Sequence, residues 1–403
     1  MTDNNDLIIP GFRFSAAKAG VKYENRLDAG LILADAPCSA AGLFTKNRLQ
    51  APAIKMDRQR LQKNGAARAV IVNAGNANTC VGESGIIAAR NITAALANAL
   101  GVNKSLCLMS STGVIGEPLP ENKIIDKIPE LVKKASDGGM PRFARAIMTT
   151  DTRVKIASRE FKTNNRRVKV AGAAKGSGMI MPNMATMLAY IVTDARVETP
   201  LLQEMLRQAA HGSLNAVTVD GDTSTSDTAL VMASGKSGVD CGAKTARNAL
   251  QEALNEVCLE LAESIAADGE GSTRLVRVIV RGAKTEKEAD KTARRIANSP
   301  LVKTAVHAAD PNWGRIMAAA GSAGVALDMQ KVSLEFQTKG KAAVKVVKDG
   351  GLHPAYSEKK AEEILSGKEV DIVLTLGRGD KSRTLFTCDL SSEYVKINAE
   401  YRS

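Results

Sequence analysis

Aromatic residues, histidines and long apolar runs are all scarce in this chain of 403 residues. With 7 Phe, 5 Tyr and 1 Trp, the chain offers few platforms on which nucleic-acid bases could stack. None of the three histidines, His211, His307 and His353, has the close spacing typical of zinc ligands. No apolar run approaches the roughly 18–20 residues of a membrane span. We therefore expect no nucleic acid and no membrane among its partners, and no metal site.

The six cysteines are widely separated and include no Cys-x-x-Cys pair. In a chain this long, such cysteines are typical of free thiols in a reducing compartment. Met1–Asp6 is polar and acidic, whereas a secretory signal begins with basic and then apolar residues. These features predict a cytoplasmic protein without a secretory signal, with free thiols at Cys38, Cys80, Cys107, Cys241, Cys258 and Cys388.

Positive charge is in excess, with 55 Lys+Arg against 43 Asp+Glu and a net charge of +12. The hydrophobic fraction of 44% and the charged fraction of 24% are ordinary for globular proteins and exclude a fibrous or disordered chain. The densest basic clusters, Arg166–Lys169 and Lys291–Arg295, are short. A solvated positive surface would explain this charge, and so would the attraction of small anionic substrates. Composition does not distinguish the two explanations.

Strand-like and helical stretches alternate along the chain, which predicts a compact α/β protein. Ala69–Asn73 has the pattern of a buried strand, and Ile86–Leu100 that of a helix capped by Gly101. After Asp268–Gly271 the pattern becomes richer in strands, and we expect a change of domain near residue 280. Further helices are expected over 201–210, 246–267 and 286–297, and strands over 274–280, 332–336, 342–347, 370–376 and 383–388.

Several familiar motifs are incomplete. The glycine-rich stretches Gly172–Gly178 and Gly377–Ser382 lack the spacing and the Gly-Lys-Ser/Thr ending of phosphate-binding loops. Asp220-Gly221-Asp222 lacks the later ligands of a calcium loop. No Gly-x-Ser-x-Gly elbow is present. These motifs therefore support no nucleotide site, no metal site and no serine hydrolase.

The segment Lys175–Asp194 is different, because a loop rich in Gly, Met and Pro passes into an apolar strand at Thr186. A Thr hydroxyl can be a nucleophile when its own α-amine is the base, and that amine titrates at roughly 7.7–8.0. This chemistry requires cleavage of the peptide bond between Ala185 and Thr186. On the physics of these residues, an ordinary junction between loop and strand remains the simpler interpretation.

The same segment resembles the self-cleavage site of the ArgJ-type ornithine acetyltransferases, the bifunctional glutamate N-acetyltransferase/amino-acid acetyltransferases. Their Met-x-x-Pro-Asn-Met-Ala-Thr-Met run, which is cut between Ala and Thr, matches Met179–Met187. Similar blocks follow one another over nearly the whole chain, at Asn73–Thr79, Ser110–Gly116, Thr149–Thr152, Val219–Thr225, Asp310–Ile316 and Asn398–Ser403.

The resemblance implies a role for each matching residue. Thr186 would cut the chain after Ala185 and then carry an acetyl group, while Thr112 and Gly113 would form the oxyanion hole. A strand-to-helix turn would also explain Ser110–Gly116, and a turn position would explain Glu270. The family more often ends in Thr, so Ser403 is a departure that keeps the hydroxyl group. The implied substrate-binding residues are Thr149, Lys175, Thr186, Glu270, Asn398 and Ser403.

The implied reaction belongs to arginine biosynthesis. Acetyl would pass from N2-acetyl-L-ornithine to Thr186 and then to L-glutamate, without a metal or a bound cofactor. Bifunctional members also use acetyl-CoA as a donor, and no residue of this sequence decides that point. The alternative is a self-processing amidase or aminopeptidase with an N-terminal nucleophile, in which water is the acceptor.

The resemblance also implies an architecture. We expect a self-processing αββα sandwich with a smaller C-terminal α/β domain. Residues 1–185 would form the α chain, 186–280 would complete the core, and 281–403 would form the C-terminal domain of the β chain. Two α and two β chains would assemble as a heterotetramer.

Overall fold

The computed structural model describes residues 7–163, 165–181 and 187–400. The chain divides into two units, each with its own packing. The larger unit comprises Met1–Asn215 and Thr223–Leu261, and the smaller one Ala216–Asp222 and Ala262–Ser403. These units are defined by packing and do not test the predicted segment boundaries at residues 185 and 280.

The larger unit is built on a sheet of eight strands in the described residues. The strands are β1 (Phe12–Ala17), β2 (Ala29–Phe44), β3 (Ala66–Asn76), β4 (Cys107–Val114), β5 (Lys155–Thr163), β6 (Arg166–Lys175), β7 (Leu188–Thr193) and β8 (Thr228–Ala233). Their order across the sheet is β4-β3-β2-β8-β7-β6-β5, and β1 pairs with β2. The apolar strand that the sequence predicts after the loop rich in Gly, Met and Pro is confirmed as β7.

The 16-residue strand β2 joins two halves of this sheet. Its first part pairs with β1 and β3, and Ser39–Phe44 pairs with β8. The register shifts between Leu33 and Cys38, and such an irregularity bends a strand. Side chains from both halves then share one core, because the halves pack face to face. This core includes Phe14, Val72 and Leu108 from one half, and Ala173, Tyr190 and Leu230 from the other.

Helices lie on the outer face of each half, and some of them also contribute to the shared core, for example through Ile54 and Phe143. They are α1 (Pro52–Asn64), α2 (Glu83–Leu100), α3 (Glu121–Ile125), α4 (Ile128–Lys133), α5 (Met140–Ala146), α6 (Thr199–His211) and α7 (Lys244–Ala267). Ile92 of α2 packs with Met109 on the outer face of β4, since side chains alternate along a strand. Val257 and Leu261 of α7 lie against Gly172 of β6. The order of layers is therefore helix, sheet, sheet, helix, and the expected αββα sandwich is confirmed.

The smaller unit contains a six-stranded sheet within the described part of the chain. Its strands are β9 (Leu275–Ala283), β10 (Ser333–Gln337), β11 (Val344–Lys348), β12 (Gly351–Leu352), β13 (Glu369–Thr375) and β14 (Lys381–Cys388). The order is β12-β11-β10-β13-β9-β14, with β9 and β13 parallel. Its helices are α8 (Glu286–Ala297), α9 (Pro300–His307), α10 (Trp313–Gly321), α11 (Glu358–Leu365) and α12 (Ser392–Ala399).

Two other expectations from the sequence, the free cysteines and the helix over residues 286–297, are also confirmed. All six cysteines are free, and only Cys80 among them is exposed. The helix expected over residues 286–297 has those limits as α8. Among the helices of the described ranges, none is both long and apolar enough to cross a membrane.

Candidate functional site

Thr112 and Gly113 lie near the end of β4, the strand at one edge of its sheet. Leu108 points into the core between the sheet halves, so alternation places Thr112 on that inner face. Asn76 of β3 pairs with both Thr112 and Val114. The backbone groups of Thr112 and Val114 therefore face β3. Since successive residues of a strand alternate in direction, the N–H of Gly113 points away from β3. An inward hydroxyl next to an outward N–H is a donor arrangement suited to an oxyanion.

Gly113 occupies a position that no larger residue fits. Its φ is +135°, and a Cβ atom there would lie 2.2 Å from the carbonyl carbon of Gly75. Any side chain would therefore push β4 away from β3 and displace the N–H. The block Ser110–Gly116 is thus the end of a strand and not a strand-to-helix turn, since the next helix begins at Glu121.

Asn73 fixes the backbone beside Gly113. The Ser111 hydroxyl donates to Asn73 Oδ1 at 2.7 Å, and Asn73 Nδ2 donates to the carbonyl of Asn76 at 2.9 Å. Asn73 and Ser111 are both buried, so these bonds are protected from water and strengthened by the low local dielectric. Asn73 belongs to a block that the resemblance matched without assigning a role.

Lys175 reaches Thr112 from the opposite half of the sheet. It ends β6, and its Nζ donates to Thr112 Oγ1 at 3.2 Å. Only 4% of Lys175 is exposed. Because Lys175 is the donor in this bond, the hydroxyl hydrogen of Thr112 can point to another acceptor.

A buried ion pair lies beside Lys175. Asp151 Oδ1 accepts from Lys155 Nζ at 2.6 Å and from the N–H of Gly176 at 2.7 Å. Its Oδ2 accepts from the N–H of Thr149 at 3.0 Å. Both charged side chains are fully buried. Asp151 therefore brings the two predicted residues Thr149 and Lys175 together.

The charges of this cluster favour an anionic ligand. Burial acts to raise the pKa of Asp151, but Lys155 and Lys175 outweigh it and lower the pKa to about 2. Asp151 is therefore an anion at neutral pH beside two buried ammonium groups. The three groups together carry one formal positive charge, which suits a carboxylate. Sequence reasoning missed Asp151 and Lys155, although Asp151 lies inside a matched block.

Glu270 and Asn398 meet in the smaller unit. Asn398 Nδ2 donates to Glu270 Oε2 at 2.7 Å, and only 7% of Glu270 is exposed. No ion pair to Glu270 is found among the residues that the structure describes. A buried carboxylate held by an amide is suited to a cationic ligand, since opposite charge would compensate its burial.

Helix α12 lies directly on the loop that carries Glu270. Gly271 has φ +69°, and a Cβ atom there would lie 2.6 Å from the N atom of Tyr394. The Ser391 hydroxyl donates to the carbonyl of Gly271 at 2.6 Å. Burial raises the pKa of Tyr394, and the nearby carboxylates Asp220 and Glu270 add to the rise. The surroundings of Tyr394 are therefore negative.

Asp389 anchors the other end of this loop. It accepts from the N–H and the hydroxyl of Thr273 at 2.7 and 2.6 Å, and it contacts Nδ1 of His307 at 2.7 Å. Burial acts to raise the pKa of Asp389, but the bonds from Thr273 and His307 outweigh it, and the pKa is lowered. An ionised Asp389 therefore holds the residues that follow Glu270.

Three predicted residues, Ala185, Thr186 and Ser403, lie outside the described residues. The described chain resumes at Met187, whose carbonyl accepts from the N–H of Thr228 at 3.0 Å. Within the described ranges, no group of three acidic, His or Cys side chains could hold a metal ion.

Replacing Asp151 by Asn should change the acid stability of the protein. Because the pKa of Asp151 is lower in the folded protein than in the unfolded chain, its ionised carboxylate stabilises the folded state at pH values above the unfolded pKa of 3.8. This stabilisation is lost as the pH falls toward about 2. The pH-dependent part amounts to about 2 kcal/mol. Urea unfolding at a series of pH values should show a destabilised Asp151→Asn variant whose deficit narrows below about pH 4.

Asp35→Asn is the matched control, since Asp35 pairs with Arg13 on the surface and exposed pairs contribute little. If the free energy of unfolding of Asp151→Asn stays below that of the wild type by the same amount down to the lowest pH measured, this result would contradict the buried ion pair.

Several known proteins are similar to this chain over nearly its whole length. The ArgJ family model matches residues 13–403. The arginine biosynthesis bifunctional protein ArgJ of Geobacter sulfurreducens is 43% identical over 98% of this chain and 100% of its own length. The protein of the same name from Bradyrhizobium diazoefficiens is 41% identical over 98% of this chain and 96% of its own length.

Two crystal structures are similar to parts of the chain. The bifunctional protein ArgJ of Bacillus halodurans is 36% identical, with a TM-score of 0.49, over 53% of this chain and 99% of the crystal chain. The ornithine acetyltransferase of Mycobacterium tuberculosis, complexed with ornithine, is 30% identical, with a TM-score of 0.39. The similarity covers 43% of this chain and 93% of the crystal chain. Since the family model and relatives above 40% identity extend over nearly its whole length, the chain belongs to the ArgJ family.

Proposed function

We propose that this protein is an ornithine acetyltransferase of arginine biosynthesis, which moves acetyl from N2-acetyl-L-ornithine to L-glutamate through an ester on Thr186. The observation that carries the proposal is the hydrogen bond from Lys175 to Thr112. It joins a buried cation to the first residue of the oxyanion pair. The names of the relatives, arginine biosynthesis bifunctional proteins, support the same pathway.

Maturation is the first proposed step. Cleavage between Ala185 and Thr186 gives fragments 1–185 and 186–403 and frees the α-amine of Thr186. Because that amine titrates near neutral pH, it can take the hydroxyl proton of Thr186 as a general base. We further propose that two copies of each fragment assemble as a heterotetramer in the cytoplasm.

Acetyl transfer then proceeds in two half-reactions. Thr186 Oγ attacks the acetyl carbonyl, and the oxyanion accepts from the hydroxyl of Thr112 and the N–H of Gly113. The C–N bond breaks, and the protonated α-amine gives its proton to the departing ornithine nitrogen. The amine of glutamate then attacks the ester, and Thr186 recovers its proton.

The charged clusters supply substrate recognition in this proposal. Lys175 and Thr149 bind the α-carboxylate that ornithine and glutamate share, next to a buried cluster with one excess positive charge. Glu270, held by Asn398, binds the side-chain ammonium of ornithine, and Ser403 completes the substrate contacts. The steps need no metal and no bound cofactor, and we propose that acetyl-CoA serves as a second acetyl donor.

Replacing Thr186 by Ala should abolish maturation. A mass spectrum of the purified wild-type protein should contain two chains that divide after residue 185, whereas Thr186→Ala should remain one chain. Thr304→Ala is a matched control in an exposed position and should be cleaved like the wild type. A wild-type protein that stays intact and still transfers acetyl would contradict the N-terminal nucleophile.

Replacing Glu270 by Gln should weaken binding of the donor selectively. A lost charge-assisted bond is worth about 1.5–3 kcal/mol, so the KM for N2-acetyl-L-ornithine should rise about 10- to 100-fold. The KM for L-glutamate should change much less, because glutamate lacks the side-chain ammonium. Steady-state kinetics of N-acetyl-L-glutamate formation measure both constants.

Glu256→Gln is the control for this variant, since Glu256 pairs with Arg159 at the surface. The same assay tests the reaction class. In the wild type, ornithine release beyond the first turnover should require glutamate and equal the N-acetyl-L-glutamate formed. Acetate release that is equally fast without glutamate would identify a hydrolase.

A further inference from the structure

The free edge of β4 is bonded to side chains of α1. Asp57 Oδ2 accepts from the N–H of Met109 at 3.0 Å. Arg60 donates to the carbonyl of Cys107 through one nitrogen and to Thr93 Oγ1 at 3.2 Å through the other. Asp57 and Arg60 stand three residues apart and thus on one face of the helix. We call these two residues the β4 clamp.

Asp57 is an unusual residue for its position. It lies between Ile54 and Leu61 in the buried stripe of α1, where an apolar side chain would be expected, and only 1% of it is exposed. Its second oxygen, Oδ1, makes no hydrogen bond to any residue that the structure describes. Burial raises the pKa of Asp57 well above its ordinary value, although the bond from Met109 and the charge of Arg60 oppose the rise.

The clamp acts on the same strand edge that carries the N–H of Gly113. Backbone groups alternate along a strand, so Cys107, Met109 and Gly113 all present theirs to the edge away from β3. Gly113 is four residues, or about 13 Å, beyond Met109. The pairing with β3 is irregular at Gly75 and Asn76, opposite Gly113, and therefore holds the end of β4 less firmly than a regular ladder would.

We propose that Asp57 and Arg60 are positioning residues for the oxyanion hole, which hold β4 so that the Gly113 N–H meets the reacting carbonyl oxygen. The inference rests on the proposed role of Gly113. Asp57 acts as a hydrogen-bond acceptor for the backbone, and its negative charge is not required.

Two substitutions of Asp57 separate these properties. Asp57→Asn keeps an oxygen that can accept from Met109 and has the size of the neutral acid. Asp57→Ala removes the acceptor and leaves a buried N–H without a partner. Since a 1 Å misplacement can cost up to about 100-fold, we expect kcat to fall about tenfold or more in Asp57→Ala. In Asp57→Asn, kcat should stay within about twofold of the wild-type value. The KM values for N2-acetyl-L-ornithine and L-glutamate should be unchanged in either variant.

Hydrogen exchange of the amides in Cys107–Val114 tests the clamp independently of activity. Exchange should be faster in Asp57→Ala and unchanged in Asp57→Asn and in the control Lys55→Ala, an exposed change on the same helix. Arg60→Met provides a second variant if Asp57→Ala does not fold. It should speed the exchange of the same segment and lower kcat about threefold.

The outcomes separate this inference from the proposed function. Faster exchange with an unchanged kcat would overturn the positioning role. An Asp57→Asn variant as slow as Asp57→Ala would overturn the claim that the acceptor, and not the charge, matters. A wild-type enzyme without acetyl transfer would refute the proposed function, whereas unchanged exchange in Asp57→Ala and Arg60→Met would refute the clamp.

Discussion

The buried ammonium group of Lys175 connects the two halves of the sandwich. It belongs to β6 in one half and donates to Thr112 on β4 in the other. A buried ammonium is costly unless opposite charge and hydrogen bonds compensate it. Asp151 supplies that charge, and its bonds to the backbone of Thr149 and Gly176 fix the loops around it. The geometry of the larger unit near Thr112 therefore depends on this cluster.

Much of the fold could be predicted from periodicity, but β2 could not. Helices such as α8 and strands such as β9 have regular apolar spacing, and their positions were predicted to within a few residues. The strand β2 spans 16 residues and contains Asp35 and Pro37, which interrupt its apolar pattern. Only its pairing with β3 and β8 makes it one bent strand, and such pairing is not visible along the sequence.

The sequence also indicated part of the candidate site, and the roles of its residues stay predictions. The resemblance to the family pointed to Thr112, Lys175 and Glu270, and the structure places Thr112 beside Lys175 and Glu270 beside Asn398. Asn73 was missed because its bond to Ser111 joins two strands that are far apart in the sequence. Lys155 was missed although Asp151 is only four residues away, because only the pairing of β5 with β6 brings this ion pair beside Lys175. Asp57 left a signal in the sequence, since an acid interrupts the apolar stripe of its helix.

Acetyl transfer through Thr186 is tested most directly by a mass spectrum of enzyme quenched after mixing with N2-acetyl-L-ornithine in the absence of glutamate. The fragment that begins at Thr186 should carry one acetyl group, located on that residue. Adding L-glutamate should remove the group and yield an equal amount of N-acetyl-L-glutamate. A cleaved, active enzyme whose Thr186 never carries acetyl under these conditions would contradict the covalent intermediate.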